Sequence, residues 1–145
     1  LAPPLAKLRQ TGAQSIPSGS FTSISFDIAD LDSASGFSST DDTRYTCQVA
    51  GVYRLGGGGS YAANVTGVRG WHWSVSGSGV ADGDIIDDAV TTGGTSTRLG
   101  ARDTFVELVI GDYIELQAFQ GSGGALNTAV SSGEQTAMIV ERVSS

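Results

Sequence analysis

The chain has 145 residues and a formal charge of −7, from 15 acidic and eight basic residues that never cluster, so it offers no track for a phosphate backbone. Its length fits one domain with a core of its own, and Cys47, the single cysteine, excludes an intrachain disulfide or a cysteine-based zinc cage. The 21 glycines, with all three prolines inside the first 17 residues, describe a turn-rich β protein rather than a helical one.

No apolar run approaches the roughly 18 residues of a membrane span, so no membrane insertion is expected. The start at Leu1 lacks the basic-then-apolar pattern of a signal peptide, and the chain is expected to be a processed product or part of a longer polypeptide. Leu1-Ala2-Pro3-Pro4 cannot enter a central sheet, because consecutive prolines remove backbone donors and favour an extended conformation. Residues 1–4 therefore read as an incoming linker, and residues 5–145 as a single domain.

Thr22, Ile24, Phe26 and Ile28 alternate with mainly polar residues, the period of a half-buried strand, ahead of a Ser, Asp and Gly-rich loop from Asp30 to Asp42. Tyr45, Cys47 and Val49 alternate again, and Val52 restarts an extended run that leads to Tyr61. Within it, Gly56-Gly57-Gly58-Gly59-Ser60 has the composition of a flexible linker. A boundary there would leave a first piece of about 55 residues, near the lower limit for independent folding. The run is read instead as a glycine-rich strand, where missing side chains let another backbone or a second subunit approach.

Trp71, Trp73 and Val75 share one strand face, which puts His72 and Ser74 on the other, toward solvent or an interface. Ile85-Ile86 follows Asp82-Gly83-Asp84, and Thr104 to Ile110 forms the next strand. Gly111-Asp112 turns into Tyr113 to Gln120, glycines at 121, 123 and 124 open a loop, and Thr136 to Val143 is the last β-rich run. Eight to ten short antiparallel strands without helical patterns make an all-β sandwich or barrel, not a parallel α/β sheet.

Little in this pattern carries chemistry. His72 accompanies many Ser and Asp residues, but no Gly-x-Ser-x-Gly elbow precedes a helix, and no catalytic residue is assigned. Asp41-Asp42, Asp82/Asp84 and Asp87-Asp88 could offer oxygens to calcium, yet none has the spacing of a calcium-binding loop. They read as solvated loop acids, with Asp82 and Asp84 kept as minor calcium candidates and no cofactor assigned. Adjacent carboxylates likewise fail to supply the cleft that glycoside hydrolysis needs. Asn64-Val65-Thr66 fits the glycosylation sequon, which matters only in a eukaryotic secretory context.

Two motifs carry a family resemblance. Cys47-Gln48-Val49-Ala50-Gly51-Val52-Tyr53 and Leu108-Val109-Ile110-Gly111-Asp112-Tyr113-Ile114-Glu115-Leu116 resemble the early and late signatures of the globular head of the complement first-component q-subunit family. That family belongs to the TNF-like jelly rolls, and the resemblance runs over residues 5–143. Gly111 suits the positive φ of a tight turn, while Ile114, Leu116 and Ala118 then share one face. The chain departs from the family at Gly56 to Gly59, where bulky residues are usual, and at Ala137-Met138-Ile139-Val140 in place of an aromatic-rich last strand.

The resemblance implies a TNF-like jelly-roll sandwich and a compact homotrimer whose axis is lined by aromatic and small apolar side chains. At strand spacing Tyr53, Tyr61, Tyr113 and Phe119, like Trp71 and Trp73, read first as core, and the resemblance makes the first four trimer-interface candidates. The short form, with Gly12-Ala13-Gln14-Ser15-Ile16-Pro17 and Gly123-Gly124-Ala125-Leu126-Asn127, looks most like phage and bacterial versions. The expectation is a non-enzymatic module at a virion surface, as a fibre knob, capsid fibre tip or decoration protein. It would contact another virion protein or a host-surface receptor or glycan. The alternative is the secreted recognition head of a stalked complement-like or TNF-like protein.

Overall fold

In the computed structural model, which describes residues 3–80, 85–87 and 96–145, strands follow one another through turns and a single short 3-10 turn at Ser39–Asp41. They are β1 (Leu5–Arg9), β2 (Ser15–Ile16), β3 (Thr22–Ser23), β4 (Ile28–Asp32), β5 (Tyr45–Thr46), β6 (Gly51–Tyr61), β7 (Arg69–Val75), β8 (Ser78–Gly79), β9 (Ile85–Asp87), β10 (Thr97–Leu108), β11 (Tyr113–Gln120), β12 (Leu126–Ala129) and β13 (Ala137–Ser144). Eight of these span four residues or more, within the range the sequence suggests. All pair antiparallel in two sheets: β2-β12-β6-β13-β1-β4 with β10 along the free side of β6, and β3-β11-β7-β8 with β5 beside β11 and β9 beside β7.

The sheets face each other across a core that alternation builds. From the seven-stranded sheet come Ala6, Leu8, Tyr53, Leu55, Met138 and Val140; from the six-stranded sheet come Trp71, Trp73, Ile114, Leu116 and Ala118, all fully buried. Each large apolar side chain buried this way stabilises the fold by about 1.5–3 kcal/mol. Trp73 lies opposite Leu116 in register, and its indole N–H donates to the Arg102 carbonyl at 2.7 Å. That carbonyl is available because β10 slips against β6 between Ala101 and Thr104, where Arg102 and Asp103 both oppose Gly56.

The glycine run lies in the middle of β6, between β10 and β13, and is strand rather than linker. Gly57 and Gly58 hold φ of +143° and +135°, which side-chain-bearing residues rarely adopt. A Cβ on Gly57 would sit 2.1 Å from the Ala137 carbonyl oxygen, and one on Gly58 would sit 2.6 Å from that of Leu99. The close approach permitted by the missing side chains is therefore made, within the protomer, by the strands on either side.

Other boundaries differ from the sequence reading. Ile24 and Phe26 are buried as their spacing requires, but Ile28 opens the exposed edge strand β4, which runs to Asp32 beside β1 where a loop was expected. The hairpin from β10 to β11 turns at Gly111, φ +96°, with Asp112 Oδ2 accepting from the Val109 amide at 2.9 Å. Registers then define two poles. The start of β1, the end of β13 and the β10–β11 hairpin share one; the end of β6, the start of β7 and the end of β11 share the other.

Candidate functional site

The outward side chains of β11 are Tyr113, Glu115, Gln117 and Phe119, and each already has a partner within the protomer. The Arg44 guanidinium lies 4.4 Å from the Tyr113 ring centre, and Thr43 Oγ1 donates to Glu115 at 2.7 Å. Gln117 Oε1 is 2.5 Å from His72 Nε2, while Gln117 Nε2 donates to Ser23 Oγ at 3.1 Å. Phe21 stacks on His72 at 3.8 Å and reaches Phe119 at 5.2 Å between ring centres. Residues at the two ends of the segment from Phe21 to Arg44, next to β3 and β5 along the free edge of β11, thus engage the outward side chains of that strand.

The outer face of the seven-stranded sheet is bare by comparison. Gly58 pairs with both Ala137 and Gly100, which leaves backbone and one methyl there, while Gly56 pairs with Ile139 and lies under the Arg54 and Asp103 side chains, which an added Cβ would meet at 3.2 and 2.9 Å. At one end a shallow groove of about 310 Å³ runs between Gly57 to Ser60, Arg98 to Gly100 and Gly133 to Gln135. Near the opposite end Phe105 is 63 % exposed beside Arg54, and Val143 is 45 % exposed.

Much of the charge on this face is paired within the protomer, with Glu107 a further outward acid two residues along β10 from Phe105. Lys7 and Arg9 pair with Asp30, Arg54 with Asp103 and Glu141, and Arg98 with Glu134, which gives four cations and four acids on a chain of net −7. Arg9 bonds both Asp30 oxygens, at 3.0 and 2.9 Å, and holds that carboxyl below its ordinary value against the opposing effect of burial. Hydrogen bonds from Thr11 do the same for Asp27. A glycine floor bordered by charges that are already paired can admit another chain without desolvating unpaired ions.

The four interface candidates do not come together. Tyr53 and Tyr61 are fully buried in the core, and burial pushes both phenols well above their ordinary range. The Tyr53 hydroxyl donates to the Val49 carbonyl at 2.6 Å; the Tyr61 hydroxyl donates to the Gly70 carbonyl at 2.5 Å and accepts from the Phe119 amide at 3.2 Å. Neither has surface left for a neighbour. Tyr113 and Phe119 keep partial exposure, but on the outer face of the six-stranded sheet. The residues that form the bare face, Gly56, Gly58, Ala137, Ile139 and Phe105, were not singled out as a set, although the glycine run was the available signal.

Asp82, Asp84 and Asp88 lie outside the described residues, and Asp41 pairs with Arg44 at 3.3 Å. Among the described residues no group of three or more His, Cys, Asp and Glu side chains is placed to hold a metal.

No protein-family model matches the chain, and no curated protein does. Solved structures do. The globular domain of zebrafish complement 1qA protein superposes with a TM-score of 0.66 at 14% identity, covering 97% of each chain. Eiger TNF from S. frugiperda matches with a TM-score of 0.68 at 11% identity, over 100% of this chain and 96% of its own. Murine APRIL at pH 8.0 matches with a TM-score of 0.68 at 15% identity, over 97% and 98%. The fold is thus a TNF-like jelly roll, as the two sequence motifs imply.

Proposed function

We propose that this chain is a non-enzymatic binding module that works as a homotrimer, assembled through the outer face of the seven-stranded sheet. The observation that carries the reading is the contrast between the two faces: the outward side chains of β11 are engaged within the protomer, whereas the other sheet presents a glycine floor beside Ala137, Ile139 and the exposed Phe105, with its neighbouring charges paired. A closed ring of three copies would bury that face, and three binding sites at fixed geometry would turn weak contacts into an avidity roughly 10²–10⁴ above a single one.

The module is placed at a virion surface, as a fibre knob, fibre tip or decoration protein that contacts another virion protein or a host receptor or glycan. The short glycine-rich segments at 12–17 and 123–127 support this placement. The alternative, a secreted recognition head, is supported by the likeness to the globular domain of a complement protein.

Multi-angle light scattering of the isolated chain tests the assembly and should return three times 14.8 kDa. A single 14.8 kDa species at micromolar concentration would overturn it. Recovery from purified particles supports the virion placement, and recovery only as free extracellular protein supports the secreted head.

A further inference from the structure

Two polar residues at the pole opposite the start of β1 and the end of β13 are fully buried and face each other in register: Arg69 at the start of β7 and Gln120 at the end of β11. Both direct their hydrogen bonds to loop backbone. Arg69 Nη1 donates to the carbonyls of Thr66 and Val68, and Nη2 to that of Asn64, each at 2.9 Å. Gln120 Nε2 donates to the carbonyls of Ile16 at 2.8 Å and Gly124 at 2.7 Å, while its Oε1 accepts from the Ser122 amide at 2.8 Å.

The loops so held, 16–21, 62–68 and 121–125, are also tied to one another. The Gly121 amide donates to the Val68 carbonyl at 3.0 Å, the Gly19 amide to the Gln120 carbonyl at 2.8 Å, and the Gly123 amide to Ser18 Oγ at 3.0 Å. Gly67, φ +76°, lies so close that a Cβ would sit 2.0 Å from the Gly121 carbonyl oxygen.

Arg69 is a costly group to bury. Its described hydrogen bonds all go to carbonyls, its Nε is buried without a partner, and burial pulls its pKa down. An apolar residue in its place would leave the carbonyls of Asn64, Thr66 and Val68 without this donor. What the guanidinium supplies is a fixed shape for exposed backbone, the form of pre-organisation that lowers the entropy cost of binding.

None of the three loops contains an ionisable side chain. The Thr66 hydroxyl and the Asn64 amide, whose Oδ1 accepts from the Thr66 N–H at 2.8 Å, flank Val65, which is 60 % exposed. A depression of about 360 Å³ runs along Ala63 to Thr66. Uncharged hydrogen-bonding groups next to a small apolar surface match the two-sided chemistry of a sugar ring, with its hydroxyls and its C–H face. We infer that this pole is a binding site for a neutral carbohydrate, which rests on the reading of the chain as a recognition module.

An array of neutral and charged glycans probed with the whole chain tests this. Neutral glycans are expected to be retained, Val65→Asp and Thr66→Ala each to cut retention at least tenfold with unchanged melting, and Val49→Ser at the other pole to leave it intact. Failure to retain any glycan, retention of charged glycans alone, or retention indifferent to both loop variants would overturn the inference. Scattering on the same sample separates the two readings: a trimer that retains no glycan contradicts only the inference, and a monomer contradicts the assembly.

Discussion

Tyr61 shows how single residues join the two sheets: its ring belongs to the core, and its hydroxyl bonds backbone of both β7 and β11. Tyr61→Phe keeps the apolar burial but strips the Phe119 amide and Gly70 carbonyl of this partner, and should cost about 1–3 kcal/mol in a urea titration. Titration behaviour follows from other single groups. Asp27 and Asp30 ionise below their ordinary 3.8 when folded, because Thr11 and Arg9 respectively bond their carboxylates. Their contribution is present above pH ~4 and lost as pH falls through the folded values, so thermal stability should drop there. The drop should be shallower in Asp30→Asn. Burial pushes Tyr45 up from 10.0 to about 12, so its neutral form is favoured by folding. Melting followed across alkaline pH should show stability intact below 10 and falling toward 12. Alternation alone placed Trp71 and Trp73 inward and His72 outward, but the stack of Phe21 on His72 depends on a loop returning over the sheet and has no local signal.

At the scale of elements, two glycines with similar torsions separate crowding from conformation. Gly58→Ala would press a methyl against the backbone of β10 at 2.6 Å, whereas Gly111 has nothing within 4 Å of an added Cβ. Gly111→Ala should therefore cost only the ~1–2 kcal/mol of a left-handed torsion, and Gly58→Ala clearly more, measured as unfolding free energies. Strands carrying large alternating side chains, such as β7 and β11, were legible in the sequence. β1 was missed because its inward residues are only Ala6 and Leu8, too small a signal in five residues. β4 was read as a loop from Asp30 because an edge strand exposed on both sides has no burial period; pairing with β1 and the Asp30 ion pairs hold it. β2 and β12 are two and four residues long and exist through their partners.

For the whole molecule, the jelly roll was legible because its two motifs meet in space. Gly51 pairs with Leu108, the Gly111 amide donates to the Cys47 carbonyl at 3.0 Å, and the Cys47 amide donates to the Asp112 carbonyl at 2.7 Å. The proposed assembly face has one signal in the sequence, the glycine run that leaves room for a second subunit; its other residues have none, because glycines leave no periodicity and Ala137, Ile139 and Phe105 come from separate strands. Of the aromatic candidates, Tyr53 and Tyr61 fill the core and Tyr113 and Phe119 lie on the other sheet, whereas Phe105 stands exposed on the proposed face. Sedimentation of Ala137→Arg beside the parent chain tests the account most directly, because the new side chain would stand on the bare face beside Gly58 without entering the core. The account predicts three times 14.8 kDa for the parent and 14.8 kDa for the variant, with unchanged circular dichroism. A variant that stays trimeric, or a parent that sediments as a monomer, would contradict it.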